Sequence, residues 1–204
     1  MSKQTAKLIA RIAENLPEMP SEIQQGWIEN PAALQKALYL ALLPAPEYVI
    51  WKTIRIGVGS KNADEFCAAL KAAGCRFGDW ANDILGKPAF TVADQELDLD
   101  LVVMSVAELG FKNSAKRSEI YARARELGLD LCPAEVGPQL CLIYKDQPLN
   151  EWLLIAMEPI TDSGGDLSVF GVARDGRGLW LDGSSGHPGG VWNANDRWVF
   201  VRRK

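Results

Sequence analysis

Catalytic side chains are scarce in this chain. Its 204 residues include a single histidine, His187, and four cysteines at wide and irregular spacings. Zinc sites are usually built from C-x-x-C pairs and clustered histidines, and neither occurs here. We therefore predict no metal site and free thiols at Cys67, Cys75, Cys132 and Cys141. The G-x-S-x-G turn of serine hydrolases and the G-x-x-x-x-G-K-[ST] phosphate loop are also missing. These absences predict no cofactor and no enzymatic activity.

Long apolar runs and basic tracts are missing as well. No apolar stretch approaches the roughly 18 residues that a membrane-spanning helix needs. Residues 1–16 carry charges throughout, which is not the pattern of a secretory signal, so the cytoplasm is the default location. The formal net charge is −4, and the one basic cluster is Arg202-Arg203-Lys204. We therefore expect neither nucleic acid nor a membrane surface as a partner.

The residues that are present predict a globular α+β protein. Hydrophobic residues make up 48% of the chain and charged residues 24%, which is enough to build a core. Residues 1–46 show apolar side chains at helical spacing interrupted by prolines, which predicts a small helical N-terminal region. Ser21 and Asn30 are expected to cap its second and third helices. Residues 47–96 predict a mixed α/β segment with a strand over 49–56 and a helix capped by Asn62.

Residues 97–204 predict the main domain. A helix is expected to begin at Ser114, and β-rich runs predict strands over 97–106, 140–144, 152–157, 167–173, 178–181 and 197–202. Helices come first and short strands dominate the end, as in the α+β class.

The tract from Gly178 onward is the most unusual part of the sequence. Trp180, Trp192 and Trp198 surround DGSSGHPGGV at 182–191, which predicts a loop of very small side chains. Rigid aromatic anchors combined with small, adaptable polar residues are typical of a binding surface. Every residue of the loop can also be reached from an asparagine codon when only its adenines are replaced. That property is suggestive of targeted diversification, although ordinary loops often share it.

Two other sets of residues suggest chemistry. Asp98 and Asp100 lie on the same face of a predicted strand, as a pair of catalytic carboxylates would, but a solvated face explains them equally well. His187 follows Ser184 and Ser185 closely, although a nucleophile would need a third orienting group. Asp162 and Asp166 fit a hairpin turn, and with Asp182 they offer oxygen atoms for calcium. None of these patterns outweighs the prediction of no metal.

At this point the sequence resembles a known group of proteins. DLVVMSVAELGFKNSAKRSEIYARARELGLDLCPAEVGPQLCLIY at 100–144, followed by EWLLIAMEP at 151–159, resembles a family of uncharacterised proteins recurring in candidate-phyla bacterial genomes. Its C-terminal end resembles the variable proteins of diversity-generating retroelements, in which adenine-directed mutagenesis rewrites a patch near the C-terminus. The Gly-Gly-Ser-Trp motif that is frequent before that patch is absent here. The resemblance implies a C-type lectin-like fold for residues 97–204.

The resemblance also implies a division of the C-terminal residues into a fixed frame and a ligand-binding set. The frame would be Trp180, Leu181, Pro188, Trp192, Arg197, Trp198 and Phe200. The ligand-binding set would be Asp182, Gly183, Ser184, Ser185, Gly186, His187, Gly189, Gly190, Val191, Trp192, Asn193 and Asn195, extended by Arg174, Asp175 and Arg177.

Three hypotheses follow. The first is a non-enzymatic protein that presents a diversified C-terminal patch to a protein or glycan ligand. The second is a small intracellular enzyme of unassigned class that uses Asp98, Asp100 or His187. The third is an interaction module in which the helical front part docks a partner, which an exposed apolar face on residues 21–43 would favour.

Overall fold

The structure is a computed structural model that describes residues 2–42 and 48–203. The chain divides into two compact units, Met1–Ala45 and Pro46–Lys204. The second unit therefore spans both the predicted 47–96 segment and the predicted 97–204 domain.

The first unit contains three helices, α1 (Lys3–Glu14), α2 (Ser21–Glu29) and α3 (Pro31–Leu42). Ser2 caps α1 by accepting the Thr5 N–H at 3.0 Å. The Asn30 side chain accepts the Ala33 N–H at 3.1 Å, as predicted for the start of α3. The prediction for Ser21 is wrong, because Pro20 holds the N-cap position and Ser21 is the first helical residue.

The second unit is a mixed α+β fold. Its helices are α4 (Ala63–Ala72), α5 (Asp79–Leu85), α6 (Arg117–Glu126) and α7 (Val136–Ile143). Its strands are β1 (Lys52–Ile56), β2 (Arg76–Phe77), β3 (Leu97–Ser105), β4 (Ala115–Lys116), β5 (Leu129–Asp130), β6 (Trp152–Ile155), β7 (Ile160–Thr161), β8 (Leu167–Asp175), β9 (Gly178–Ser185), β10 (Val191–Trp192) and β11 (Arg197–Arg202).

Nine of these strands form one sheet. Its main path runs β1-β3-β11-β6-β8-β9-β2, with β5 paired to β11 and β7 paired to β8. β11 is antiparallel to β3 and parallel to β6, so it joins the two halves of the sheet. The remaining strands, β4 and β10, pair with each other in a separate ribbon. Because β1 pairs with β3, the predicted boundary at residue 96 falls inside one sheet, which both segments share.

The core lies between this sheet and its helices. Trp198, Val199 and Phe200 on β11 are fully buried, as are Phe66 on α4 and Phe170 on β8. Burial of side chains this large supplies most of the stabilisation, at about 1.5–3 kcal/mol each.

Local capping explains where two of the helices begin. The Asn62 side chain accepts the Glu65 N–H at 3.0 Å, which confirms the predicted cap of α4. The helix predicted from Ser114 begins later, because Ala115 and Lys116 pair with β10 and α6 starts at Arg117.

The strand predicted over 140–144 is wrong, since these residues belong largely to α7. Val136, Leu140 and Cys141 are all buried there. A short apolar run that is buried on all sides fits a helix or a strand equally well, so its sequence pattern could not decide.

A buried carboxylate holds the start of α7 to two distant loops. Glu135 is 0% exposed, and its two oxygens accept the N–H of Gly57 at 2.7 Å and of Ala93 at 2.8 Å. A buried polar group is tolerated when it is hydrogen-bonded, so this side chain ties three separate parts of the chain together.

Candidate functional site

A recess of about 710 Å³ lies where β6, β9 and β11 approach each other. Two tryptophans and several polar side chains line it. The lining residues are Pro148, Leu149, Asn150, Glu151, Trp152, Leu154, Ser184, Trp192, Asn195, Asp196 and Arg197. This combination of aromatic surface with a few polar groups is typical of a ligand site.

The polar side of the recess is held by Glu151. Its carboxylate accepts from Arg197 Nη1 at 2.7 Å and from the Tyr144 hydroxyl at 2.8 Å. The Glu151 side chain is only 11% exposed, so this ion pair is partly shielded from water. Burial, and then the hydrogen bond to Glu151, raise the pKa of Tyr144. The hydroxyl therefore stays protonated and keeps donating to Glu151.

The turn before β6 is also fixed in place. Asn150 has a φ of 65°, in the left-handed region, and its N–H donates to the carbonyl of Arg174 at 2.7 Å. The Arg174 guanidinium in turn donates to the carbonyl of Gln147 at 2.8 Å. Asn tolerates the left-handed conformation better than most residues, so the backbone of this rim is well defined. Arg174 therefore holds the backbone at Gln147 and Asn150, beside the recess, in place through its hydrogen bonds.

An aromatic cluster forms the floor below Trp192. The ring of Trp192 meets that of Trp198 edge to face at 5.0 Å between centroids, and Trp198 meets Tyr121 at 5.6 Å. The guanidinium of Arg117 lies over Tyr121 at 4.6 Å. Such contacts contribute about 0.5–1.5 kcal/mol beyond burial of area. They fix Trp192 in the wall of the recess.

The predicted ligand-binding residues fall into two environments. Those at alternate positions from 185 to 195 are exposed, while residues 190, 192 and 194 between them are half-buried. We call the exposed set the C-terminal tract: Ser185, His187, Gly189, Val191, Asn193 and Asn195. Asn195 also lines the recess, so the tract and the recess form one continuous surface.

Two predicted residues, Gly183 and Gly186, lie below this surface, and Ser184 between them is largely buried but lines the recess. The predicted loop is a strand as far as Ser185, because β9 pairs with β8 through Ser185↔Ser168. Gly183 and Gly186 are buried, and Ser184 is 8% exposed. A Cβ on Gly183 would lie 2.6 Å from the Trp80 Cβ, and one on Gly186 would lie 2.7 Å from the Pro159 Cβ. Neither glycine has room for a side chain, so the expectation that these two positions belong to an exposed, variable patch is wrong.

The rest of the predicted set supports the backbone. Asp182 is half-buried and accepts the Gly183 N–H at 2.8 Å. Asp175 accepts from the Arg177 N–H and from Trp180 Nε1, each at 2.8 Å. The hydrogen bond from Trp180 is the main reason that the pKa of Asp175 is lowered. The turn between β8 and β9 is therefore ordered by its own side chains.

Of the residues predicted for the frame, two are exposed and two, Trp180 and Trp192, are half-buried. Leu181, Trp198 and Phe200 are fully buried. Pro188 and Arg197 are exposed, and Arg197 lines the recess beside Glu151. The frame therefore contributes to the surface as well as supporting it.

The residues of the enzyme hypothesis are not brought together. Asp98 forms an ion pair with Arg55 at 2.7 Å, and Asp100 forms one with Arg202 at 2.7 Å. Both lie on β3, and neither lines the recess. His187 is exposed, and its Nδ1 accepts the Gly189 N–H at 3.1 Å. Asp98 and Asp100 therefore form ion pairs between neighbouring strands, and His187 forms a hydrogen bond within a turn.

One further cluster has the composition of a serine–lysine nucleophile. Ser163 Oγ is 2.5 Å from Lys87 Nζ and 2.7 Å from Asp83 Oδ1. Asp83 also accepts the Ser163 N–H, and these bonds lower its pKa to about 2. Lys87 Nζ also lies 3.1 Å from Asp83 Oδ1, so the carboxylate contacts both Ser163 and Lys87. The cluster therefore fastens the β7–β8 turn to α5.

Asp162 serves the same turn. Its Oδ1 accepts the N–H groups of Gly164 and Asp166, each at 2.9 Å. Among the described residues there is no group of three or more His, Cys, Asp and Glu side chains that could hold a metal ion.

The first unit exposes apolar side chains. Ile23 is 50% exposed, Ile28 69% and Leu34 37%. This exposure is the feature that the interaction-module hypothesis requires. Within residues 2–42 and 48–203, no helix is long and apolar enough to cross a membrane.

Local sequence patterns do not predict the part of the recess that residues 148–154 form. Leu149 and Glu151 come from the turn before β6 and Trp152 is its first residue, all distant in sequence from the C-terminal tract, and strand pairing brings them near it. The sequence signal for this part is a pair of large apolar residues, Leu149 and Trp152, on either side of the polar residues Asn150 and Glu151. In the structure Trp152 is 46% exposed.

No protein-family model, curated protein or solved structure matches this chain.

Proposed function

We propose that this is a non-enzymatic ligand-binding protein, and that the recess together with the C-terminal tract presents its contact surface to a protein or glycan. The observation that carries the proposal is the alternation of exposure over residues 189–195, which follows exposed Ser185 and His187 on either side of buried Gly186. Residues 189, 191, 193 and 195 are exposed, whereas residues 190, 192 and 194 between them are half-buried. Such a surface can change its chemistry without changing its fold.

The contacts of the tract support this division. The carbonyls of Gly190 and Pro188 accept the N–H groups of Arg117 and Ser118 at 2.8 and 3.1 Å. The backbone of the tract is thus bonded to the first turn of α6, whatever its side chains are. Substituting exposed side chains of this kind usually changes stability by no more than about 0.5 kcal/mol.

The lectin-like architecture and the retroelement origin belong to the same proposal. Their support is the sequence resemblance over 97–204 and the fact that all six exposed residues of the C-terminal tract are codon-accessible. The two buried glycines refine the proposal, since they predict that variation skips Gly183 and Gly186.

The decisive test is a codon-by-codon comparison of the 3′ coding end among many closely related strains. We expect substitutions to concentrate at 185, 187, 189, 191, 193 and 195 and to fall on adenines of a nearby template copy. Variation spread evenly along the gene, or concentrated at Gly183, Trp192 and Trp198, would contradict the proposal.

A binding assay tests the site itself. The probe is an immobilised panel of defined glycans, and the variant replaces Ser185, His187 and Asn195 together by Ala. Its matched control, Asp64→Ala with Lys71→Ala, changes exposed residues on α4 that do not line the recess. We expect wild type and control to bind the same glycans, the triple variant to lose them, and all three to melt alike. Unchanged binding by the triple variant would refute a role for the tract.

A further inference from the structure

Two of the four cysteines lie close together in the core. Cys75 follows α4, and Cys141 lies in α7, which packs against α4. The Cys75 thiol donates to the Cys141 carbonyl oxygen at 3.5 Å. Both side chains are buried, with 6% and 3% exposure. All four cysteines of the chain are free thiols.

A cation stands next to this pair. Lys145 is exposed as a residue, yet its Nζ reaches to 3.7 Å from Cys75 Sγ. A thiolate beside an ammonium group and a second thiol is the arrangement that makes a cysteine nucleophilic. The arrangement is also asymmetric, because Lys145 contacts Cys75 and no such contact joins it to Cys141 among the described hydrogen bonds.

The acid–base behaviour agrees with this asymmetry. The hydrogen bond from Cys141, and then the charge of Lys145, lower the pKa of Cys75 to about 6. The hydrogen bond to Cys75 and burial raise the pKa of Cys141. Burial also raises the pKa of Cys132 and of Cys67. One thiol of the four is therefore selected as the reactive one.

We infer that Cys75 and Cys141 form a reversible thiol–disulfide site that a hydroperoxide oxidises, with Cys75 as the attacking sulfur, Cys141 as the resolving sulfur and Lys145 as a positioning residue. This inference is independent of the ligand-binding proposal.

The chemistry proceeds in two balanced steps. The Cys75 thiolate attacks the terminal oxygen of the hydroperoxide ROOH, so an S–O bond forms, the O–O bond breaks, and RO⁻ leaves and takes up a proton as ROH. The Cys141 sulfur then attacks the Cys75 sulfenic acid, so the S–S bond forms and the S–O bond breaks. The departing hydroxide combines with the Cys141 proton as water. Two thiols lose two electrons, which reduce ROOH to ROH and water.

The first experiment uses the unmodified full chain. The reduced protein is treated with hydrogen peroxide under native conditions, quenched with an alkylating reagent after unfolding, and digested without reductant. We expect one cross-linked peptide pair, containing Cys75 and Cys141, which a thiol reductant separates. Failure to find this cross-link, or oxidation of Cys67 before Cys75, would overturn the inference without requiring any variant to fold.

Variants then assign the roles. Cys141→Ser should stop the reaction at a Cys75 sulfenic acid, detected as a dimedone adduct, whereas Cys75→Ser should give neither adduct nor cross-link. Cys67→Ser is the matched control and should react like wild type. Lys145→Met should slow the oxidation several-fold, and Lys145→Arg, which keeps the charge, should restore most of the rate. Equal rates for Lys145→Met and wild type would remove Lys145 from the inference.

Discussion

Replacing Glu135 by Gln tests the buried carboxylate that joins α7 to the loops at Gly57 and Ala93. The two side chains have nearly the same shape, but Gln offers one acceptor oxygen where Glu offers two. Each oxygen of Glu135 accepts one backbone N–H, at 2.7 and 2.8 Å. In the Gln variant the side-chain NH2 group would replace one of these oxygens and lie against an N–H donor. The site is 0% exposed, so water cannot replace the lost acceptor.

The expected cost follows from leaving one buried donor unsatisfied. Such a group costs about 1–3 kcal/mol, so we expect Glu135→Gln to lower the free energy of unfolding by that amount. Glu135→Ala leaves both donors unsatisfied and should cost about 2–6 kcal/mol. For a domain of this size, each kcal/mol corresponds to about 2–4 °C in melting temperature.

Urea denaturation measures the loss, and amide hydrogen exchange locates it. In Glu135→Gln the amides of Gly57 and Ala93 should exchange faster, while amides of the central sheet change only with global stability. The matched control is Glu158→Gln, because Glu158 is 79% exposed and its ion pair with Arg125 should contribute about 0–1 kcal/mol. If Glu135→Gln unfolds at the same urea concentration as wild type, the two hydrogen bonds are not what holds these loops.

Two further predictions concern the packing of β9 and the dependence of stability on the charge of Asp83. Gly183→Ala should lower stability by about 1–3 kcal/mol through overpacking against Trp80, whereas Ser185→Ala should stay within about 0.5 kcal/mol; equal melting temperatures would contradict the burial of Gly183. The pKa of Asp83 is lowered to about 2, so its contribution is complete above the usual carboxyl range and is lost as the pH falls toward 2. The stability difference between wild type and Asp83→Asn should therefore shrink from pH 5 to pH 2, and a constant difference across that range would show that the bonds to Ser163 do not depend on the charge.

Local chemistry explains what the sequence could predict. Asn30 and Asn62 are caps because a short polar side chain accepts an N–H three residues later, and that interaction needs no tertiary information. Alternation followed by an apolar run predicts the strand at Leu97–Ser105, and a run of aromatic and β-branched residues predicts the strand at Arg197–Arg202. The α+β class follows from the same local patterns.

Tertiary packing explains what the sequence could not predict. Residues 182–185 are small and polar, which favours a loop, yet they form a strand because β8 offers an unpaired edge beside them. The recess depends on contacts between the turn before β6 and the end of β9, and no local signal in either segment reports the other. The thiol pair is hidden for the same reason, since Cys75 and Cys141 are 66 residues apart in sequence.

The central position of β11 has a consequence for biosynthesis. β11 ends at Arg202, so β3 and β6 can be joined only after this residue has been synthesised. A chain that stops before β11 would leave one edge of β3 and one edge of β6 unpaired, and unpaired edges are prone to aggregate. The residues of the C-terminal tract are translated just before this strand. If the tract diversifies through asparagine codons, whose third base is a pyrimidine, adenine replacement there cannot create a stop codon. The residues of each new C-terminal tract would then be synthesised just before β11, the strand that joins β3 to β6.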